Sequence, residues 1–162
     1  MKFTDLGLPE SLIRAIKKSD YDEPTPVQQS TIPLIREGKD VMATSQTGTG
    51  KTAGFVLPML ELLMSNHSKQ RKIRGLIITP TRELAAQVHA SIEKYGRYTE
   101  LKATVVFGGV NINPQKKTLR QGVDVLVASP GRFLDLHGQQ ALDLRHVEYF
   151  VLDEADRILD MG

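Results

Sequence analysis

The sequence contains no cysteine. It therefore forms neither a disulfide framework nor a thiolate metal site, which fits a reducing compartment such as the cytoplasm. It also lacks any apolar run near the roughly 20 residues that cross a bilayer. Residues 1–5 contain no apolar signal core, so we expect a cytoplasmic protein with no membrane partner.

An excess of one charge is also missing, because the formal net charge is only +2. So mild a balance does not by itself indicate nucleic-acid binding, and a phosphate-bearing partner has to be recognised through local clusters. One such cluster consists of Lys69, Arg71, Lys72 and Arg74. It is typical of a solvated loop, and we assign it no function.

The chain does contain a regular alternation of strand-like and helical segments. Its 162 residues, 40% of them hydrophobic and 25% charged, suit a single globular domain with its own core. Runs rich in Val, Ile and Leu predict strands at residues 40–44, 75–79, 103–107, 123–128 and 149–153. Helices are predicted at residues 8–18, 53–64, 82–98, 114–120 and 132–136. This order predicts an α/β fold with a mostly parallel sheet and helices on both faces.

A glycine-containing loop follows the first predicted strand and opens a helix. Its residues are Ser45, Gln46, Thr47, Gly48, Thr49, Gly50, Lys51 and Thr52. The order of strand, loop and helix is typical of a P-loop, in which the glycines let backbone N–H groups point at phosphates. Lys51 would contact the terminal phosphates and Thr52 would bind Mg²⁺. Ser45 replaces the first glycine of the strict pattern, and its small side chain still permits the turn. The alternative, an ordinary Gly/Thr-rich loop, is disfavoured by the flanking strand and helix.

The last predicted strand ends in an acidic pair, Asp153 and Glu154. In a nucleotide hydrolase the first carboxylate holds Mg²⁺, usually through water, and the second positions and deprotonates the attacking water. An acidic helix N-terminus is the alternative, since the helix dipole favours acids there. Because a P-loop stands upstream, we favour the catalytic interpretation.

Near the N-terminus, Thr25 and Pro26 have the chemistry of an N-cap and a first helical residue. Tyr21 offers a flat ring, and Gln28 offers an amide with both a donor and an acceptor, as an adenine edge requires. This segment is equally well explained as a helical pair that packs on the sheet. The residues alone leave both interpretations open.

Three further loops follow predicted strands, so they should lie at the edge of the sheet where ligands bind. They contain Pro80, Thr81 and Arg82, then Gly108 and Gly109, then Ser129, Pro130, Gly131 and Arg132. Helix starts, adjacent glycines and arginine forks suit a phosphodiester backbone. A helix cap explains Thr81 but not Arg82, and each loop taken singly is explained as a turn. Together they predict a polyanion track beside a nucleotide site.

The sequence thus resembles the DEAD-box ATP-dependent RNA helicases over essentially its whole length. Segments 24–28, 45–52, 80–85, 108–109, 129–132 and 153–156 resemble motifs Q, I, Ia, GG, Ib and II, in that order. Segments 52–55 and 107–115 are most similar to the bacterial RhlE-type branch. The resemblance implies a P-loop NTPase fold of the RecA-like kind. It also implies a Q-motif segment at 1–29 and a partial helicase ATP-binding domain at 30–162. Asp20, Ser45 and Ser129 depart from a common Gly, Ala and Thr.

The resemblance also implies a role for each site residue. Gln28 would bond the adenine edge, Tyr21 would stack on the ring and Phe3 would support that pocket. Lys51 and Thr52 would bind ATP and Mg²⁺, Asp153 the metal, and Glu154 would be the catalytic base. Asp156 would couple this domain to a second RecA-like domain. RNA would be held by its backbone, without sequence specificity, at Pro80, Thr81, Arg82, Gly108, Gly109, Ser129, Pro130, Gly131 and Arg132.

The family continues with motif III and a second domain, and the sequence ends at Gly162. We therefore expect a fragment, with a gap in the sheet between the strands of motifs I and II. Such a fragment would be poorly stable and would lack RNA-stimulated ATPase and unwinding activity. The alternative is a non-catalytic fragment that binds nucleotide or RNA or interferes with a full-length helicase. A GTPase or kinase is disfavoured because no Asn-Lys-x-Asp guanine signature occurs. RNA is favoured over DNA only by the resemblance, through contacts to 2′-hydroxyls.

Overall fold

A computed structural model of the chain describes residues 9–18, 41–43, 51–65 and 71–153. Helices and strands alternate along these residues as predicted. Their bounds are α1 (Glu10–Lys18), β1 (Val41–Ala43), α2 (Lys51–Ser65), β2 (Gly75–Ile78), α3 (Arg82–Tyr95), β3 (Ala103–Val106), α4 (Ile112–Gln121), β4 (Val125–Ala128), α5 (Pro130–Gly138) and β5 (Tyr149–Asp153). Each of the five predicted strands is present, with ends that differ by two residues or fewer. The helix predicted to begin near Pro26 lies outside the described residues.

The five strands form one sheet in the order β1-β5-β2-β4-β3, and every described pair is parallel. All carboxyl ends therefore lie at one edge of the sheet. β1 pairs directly with β5, with Val41 opposite Val151. The expected gap between these two strands was thus wrong for the described sheet, because the two backbones hydrogen-bond to each other.

Apolar side chains cover both faces of the sheet, because successive strand residues point to opposite sides. On one face Ile77, Val127 and Val151 are buried in a cluster with residues of α1, α2 and α3. On the other face Leu76 and Leu126 are buried in a second cluster with residues of α4 and α5. The prediction of an α/β sheet with helices on both faces is confirmed.

Helix α2 is buried along most of its length. Every residue from 54 to 60 is buried, and the side chains of Phe55, Leu57, Met59, Leu60 and Leu63 all have 0% exposure. A helix that is apolar all round lies inside a protein rather than on its surface. Gly75 at the start of β2 allows its close packing, since a Cβ there would lie 2.9 Å from Met59 Sδ.

Helix α3 ends at Tyr95, three residues earlier than predicted. The reason is Gly96, whose N–H donates to the carbonyl of Ile92 and closes the last turn. Thr99 Oγ1 then donates to the Gly96 carbonyl at 2.7 Å and turns the chain toward β3. Helix α1 packs against α3 and buries Leu12 and Ala15.

A buried ion pair joins the amino ends of the strands. Arg74 and Asp124 are 4% and 5% exposed, and Arg74 Nη2 donates to Asp124 Oδ1 at 3.3 Å. The carbonyl of Asp124 accepts from the N–H groups of Arg74 and Gly75, and that of Arg74 accepts from Glu148 and Tyr149. These bonds tie the starts of β2, β4 and β5 together.

The described residues of the basic cluster at 69–74 form ion pairs with other parts of the fold. Arg71 Nε lies 3.5 Å from Asp124 Oδ2, and Lys72 Nζ lies 3.9 Å from Asp143 Oδ2. The expectation of a solvated loop was wrong for Arg74, which the fold buries at 4% exposure. No described helix has both the length and the apolar character of a membrane-spanning segment.

Candidate nucleic-acid interface

Three loops meet at the carboxyl edge of the sheet because β2, β4 and β3 are neighbours there. Ile78 and Val106 both stand opposite Ala128 in the strand register. Just beyond the strands, the N–H of Thr79 donates to the carbonyl of Ala128, and the N–H of Ser129 donates to that of Val106, each at 3.1 Å. The predicted convergence of the loops is therefore present in the structure.

The first loop leads from β2 into α3. Thr81 is the N-cap of this helix, and its Oγ1 accepts from the N–H of Leu84 at 3.2 Å. Pro80 is buried and Arg82 is exposed. The Arg82 guanidinium carbon lies 4.8 Å from the centre of the Phe107 ring, a distance at which a cation is attracted to an aromatic face. Thus Thr81 acts as a cap, while Arg82 reaches across to the second loop.

The second loop carries the two glycines, and both are exposed. Gly109 has a φ of +83°, a conformation that side chains with a Cβ rarely adopt. A Cβ on Gly109 would lie 3.7 Å from Arg82 Nη1, so the turn sits directly beside that guanidinium. Val110 follows with 40% exposure. The turn therefore presents bare backbone and one exposed cation at the same place.

The third loop opens helix α5. Ser129 is its N-cap residue with extended backbone angles, yet within the described residues its hydroxyl makes no capping hydrogen bond. Pro130 occupies the first helical position and Gly131 is exposed. The N–H groups of a helix start and the positive end of its dipole attract anions. This helix start is thus chemically suited to a phosphate, as is the exposed Arg82 nearby.

Arg132, predicted to supply a phosphate fork, is buried at 8% exposure. Its Nη1 donates to Gln115 Oε1 at 2.8 Å and its Nη2 donates to the Val110 carbonyl at 2.9 Å. Its Nε lies 3.7 Å from Asp135 Oδ2. In this structure the fork holds the protein's own glycine loop. A direct phosphate contact by Arg132 stays a prediction.

Sequence reasoning missed two residues of this interface, Phe107 as a platform for Arg82 and Gln115 as a partner of Arg132. Both lie in the segment 107–115, where sequence reasoning assigned them no site role beyond the resemblance to the RhlE-type branch. The sequence signal that could have identified Gln115 is an amide side chain in the first turn of a helix that follows a glycine turn. Asn111 does cap that helix, through Oδ1, which accepts from the N–H of Asn113 at 2.9 Å.

The predicted nucleotide site is described only through its backbone. Ala43, the last residue of β1, stands opposite Asp153, the last residue of β5, and α2 begins at Lys51. The strand before the P-loop and the strand carrying Asp153 are therefore neighbours, as a nucleotide and Mg²⁺ site needs. The side chains of Lys51, Thr52 and Asp153 lie outside the described residues. Outside them as a whole lie Phe3, Tyr21, Gln28, Ser45, Gln46, Thr47, Gly48, Thr49, Gly50, Glu154 and Asp156.

Comparison with known proteins decides the family. Residues 25–162 match the family model described as DEAD/DEAH box helicase. The chain belongs to the DEAD/DEAH box helicase family. The parallel sheet with helices on both faces is consistent with the RecA-like fold of a DEAD domain.

Named relatives within this helicase family align along the whole chain. It is 46% identical over 162 residues to the ATP-dependent RNA helicase CshA of Limosilactobacillus reuteri, of which it spans 32%. It is 45% identical over its full length to the DEAD-box ATP-dependent RNA helicase CshA of Streptococcus pneumoniae serotype 4, of which it spans 30%. With the ATP-dependent RNA helicase DBP10 of Meyerozyma guilliermondii it shares 44% identity over 99% of this chain and 17% of that protein. The chain thus spans a third or less of the length of these curated relatives.

Proposed function

We propose that this chain is most of the first motor domain of a DEAD-box ATP-dependent RNA helicase. The observation that carries the proposal is the meeting of three loops with phosphate-binding chemistry at one sheet edge, on the same edge as the paired ends of β1 and β5. The names of the aligned relatives support it. In this proposal the intact protein couples ATP binding and hydrolysis to local RNA unwinding or to remodelling of RNA–protein complexes.

The substrate ATP would lie on the loop from Ser45 to Thr52, at the start of α2. There the Lys51 ammonium would neutralise terminal phosphate charge, and Thr52 and Asp153 would hold Mg²⁺. The bound Mg²⁺ supplies positive charge next to the phosphates. Glu154 would orient the attacking water and take its proton. The adjacent ends of β1 and β5 and the helix start at Lys51 fit this assignment.

Other residues of the intact protein have proposed binding roles. Gln28, Tyr21 and Phe3 would form the adenine pocket, and Asp156 would contact a second RecA-like domain. The RNA backbone would lie along the three loops, with Arg82 as the exposed cation. We further propose the RhlE-type branch, on the residues at 52–55 and 107–115, and a cytoplasmic location. The division into a Q-motif segment at 1–29 and an ATP-binding domain at 30–162 belongs to the same proposal.

The catalytic part is tested by ATP turnover of the full-length protein with and without single-stranded RNA. Glu154→Gln should lower kcat by about 100-fold or more, the range expected for loss of a general base. Glu100→Gln makes the same chemical change at an exposed position outside the proposed site and should leave turnover unchanged. Binding of ATP and RNA without any turnover by the unaltered protein would favour the non-catalytic alternative.

The RNA part is tested by the affinity of the full-length protein for single-stranded RNA at several salt concentrations. Arg82→Ala should weaken binding and reduce the slope of log affinity against log salt by about 0.7, the value for one phosphate contact on a single strand. Arg97→Ala removes an exposed arginine whose Nε donates to the Lys94 carbonyl at the far end of α3, and should change neither. Equal effects of the two substitutions would contradict the proposed track.

A further inference from the structure

One glutamine joins two of the three loops. Gln115 lies in α4 and is half-buried. Its Nε2 donates to the carbonyl of Phe107 at 3.2 Å, and its Oε1 accepts from Arg132 Nη1 at 2.8 Å. Arg132 Nη2 in turn donates to the carbonyl of Val110. The residues before and after the glycine pair are thus both held, one by Gln115 and one by Arg132.

The two hydrogen bonds of Gln115, to the Phe107 carbonyl and from Arg132, form a bridge between the loops. The chemistry of this bridge requires an amide. The Phe107 carbonyl can only accept a hydrogen bond and the Arg132 guanidinium can only donate one. The side chain between them must therefore donate at one end and accept at the other. A carboxylate would place an oxygen against the Phe107 carbonyl, and an apolar side chain would satisfy neither neighbour.

The bridge also compensates for a weakness of the glycine turn. Gly108 and Gly109 carry no side chains that could hold the turn in place, and glycine loses more conformational freedom on ordering than other residues. Arg82 packs over Phe107 from the first loop, and the Gln115–Arg132 pair ties the same residue to the start of α5. Phe107 is therefore the point at which all three loops are connected.

We propose that Gln115 is a positioning residue of the RNA interface, which sets the distance between the glycine turn and the start of α5. This inference rests on the proposed RNA-binding function. Gln115 acts through the Phe107 carbonyl and Arg132, so its loss changes how well the turn is placed for a phosphodiester. Binding of ATP, at the other strand ends, does not depend on it.

The test compares two substitutions in the full-length protein, Gln115→Met and Gln115→Glu. The first keeps the length of the side chain and removes both hydrogen bonds, and the second keeps the acceptor for Arg132. Gln121→Met is the matched control, since Gln121 is an exposed glutamine at the end of the same helix. Affinities for single-stranded RNA and for a fluorescent ATP analogue are measured, with a thermal melt of each variant.

Both Gln115 variants should bind RNA roughly 5- to 30-fold more weakly, as expected for loss of one or two net hydrogen bonds. Their affinity for the ATP analogue should be unchanged, and Gln121→Met should resemble the unaltered protein. A merely structural role predicts a parallel fall of both affinities, and that result would overturn the inference, as would unchanged RNA affinity. If Gln115→Met unfolds below the assay temperature, Gln115→Glu decides.

Arg82→Ala separates this inference from the proposed function. If Arg82→Ala weakens RNA binding while the Gln115 variants do not, the positioning role is wrong and the RNA interface stands. If the unaltered protein does not bind RNA, both are wrong.

Discussion

Removal of the Asp124 carboxylate should destabilise the chain strongly. This carboxylate accepts from Arg74 Nη2 at 3.3 Å and from the N–H of Lys102 at 2.9 Å. In Asp124→Ala the buried Arg74 guanidinium keeps its bond to the Leu63 carbonyl and loses its bond to the Asp124 carboxylate. The N–H of Lys102 loses its acceptor as well.

Breaking one side of a buried ion pair costs about 3–5 kcal/mol, because the remaining charge cannot regain its hydration. A domain of this size has a free energy of unfolding of about 5–15 kcal/mol, so the loss is a large part of the total. For a urea dependence of about 2 kcal/mol per M, the unfolding midpoint should fall by about 1.5–2.5 M.

Urea unfolding of the 162-residue chain, followed by circular dichroism, measures this midpoint. Asp143→Ala is the comparison, because Asp143 forms ion pairs with Arg145 and Lys72 in which its side chain is 32% exposed; its effect should be much smaller. The double substitution Arg74→Met/Asp124→Leu should recover part of the loss by removing both buried charges, while the N–H of Lys102 still lacks its acceptor. A destabilisation by Asp124→Ala of less than about 1 kcal/mol, the level of a surface pair, would refute this account.

Three further outcomes follow from particular residues. Gly109→Ala should cost about 1–2 kcal/mol because of its positive φ, whereas Gly108→Ala, whose Cβ would meet no atom within 4 Å, should cost less in the same urea assay. Hydrogen bonds from the side chain and backbone of Arg145 hold the pKa of Asp143 well below its ordinary value, so its stabilising contribution is present at neutral pH and is lost only in strong acid. Arg145→Gln should return the Asp143 pKa toward the ordinary value in a carboxyl NMR titration, and an unmoved pKa would contradict that cause. Burial, with smaller contributions from nearby acids, raises the pKa of Tyr149. The contribution of the neutral Tyr149 side chain to the free energy of unfolding is therefore complete below about pH 10, and it is lost as pH rises through the folded-state pKa. Tyr149→Phe should flatten the alkaline fall in the free energy of unfolding, and equally steep curves would show that another group causes it.

The strands and the meeting of the loops were predictable because they depend on local pattern and on one rule of geometry. Buried parallel strands read as continuous apolar runs, as at Gly75–Ile78, and their carboxyl ends share one edge. The direction of Arg132 was not predictable in this way. Its partners Gln115 and Val110 are separated from it by 17 and 22 positions, and only tertiary packing brings them together.

The pairing of β1 with β5 and the pairing of Arg74 with Asp124 escaped prediction for the same reason. Each joins segments distant in sequence, and neither member carries a local signal of its partner. From the sequence, Arg74 is predicted to be part of a solvated basic loop. In the structure it is buried beside Asp124. At the nucleotide site, the residue roles stay predictions, since the side chains concerned lie outside the described residues.

The direct pairing of Val41 with Val151 has a consequence for synthesis of the chain on the ribosome. The first strand of the sheet leaves the ribosome long before its hydrogen-bonding partner has been made. At ordinary rates of translation, of about 5–20 residues per second, the delay between the two strands is roughly 5–20 s. Throughout that time β1 and the apolar helix α2 that follows it are without β5, the strand that pairs with β1. Transiently exposed apolar surface of this kind is prone to aggregation and is what chaperones bind, and slower translation would lengthen its exposure.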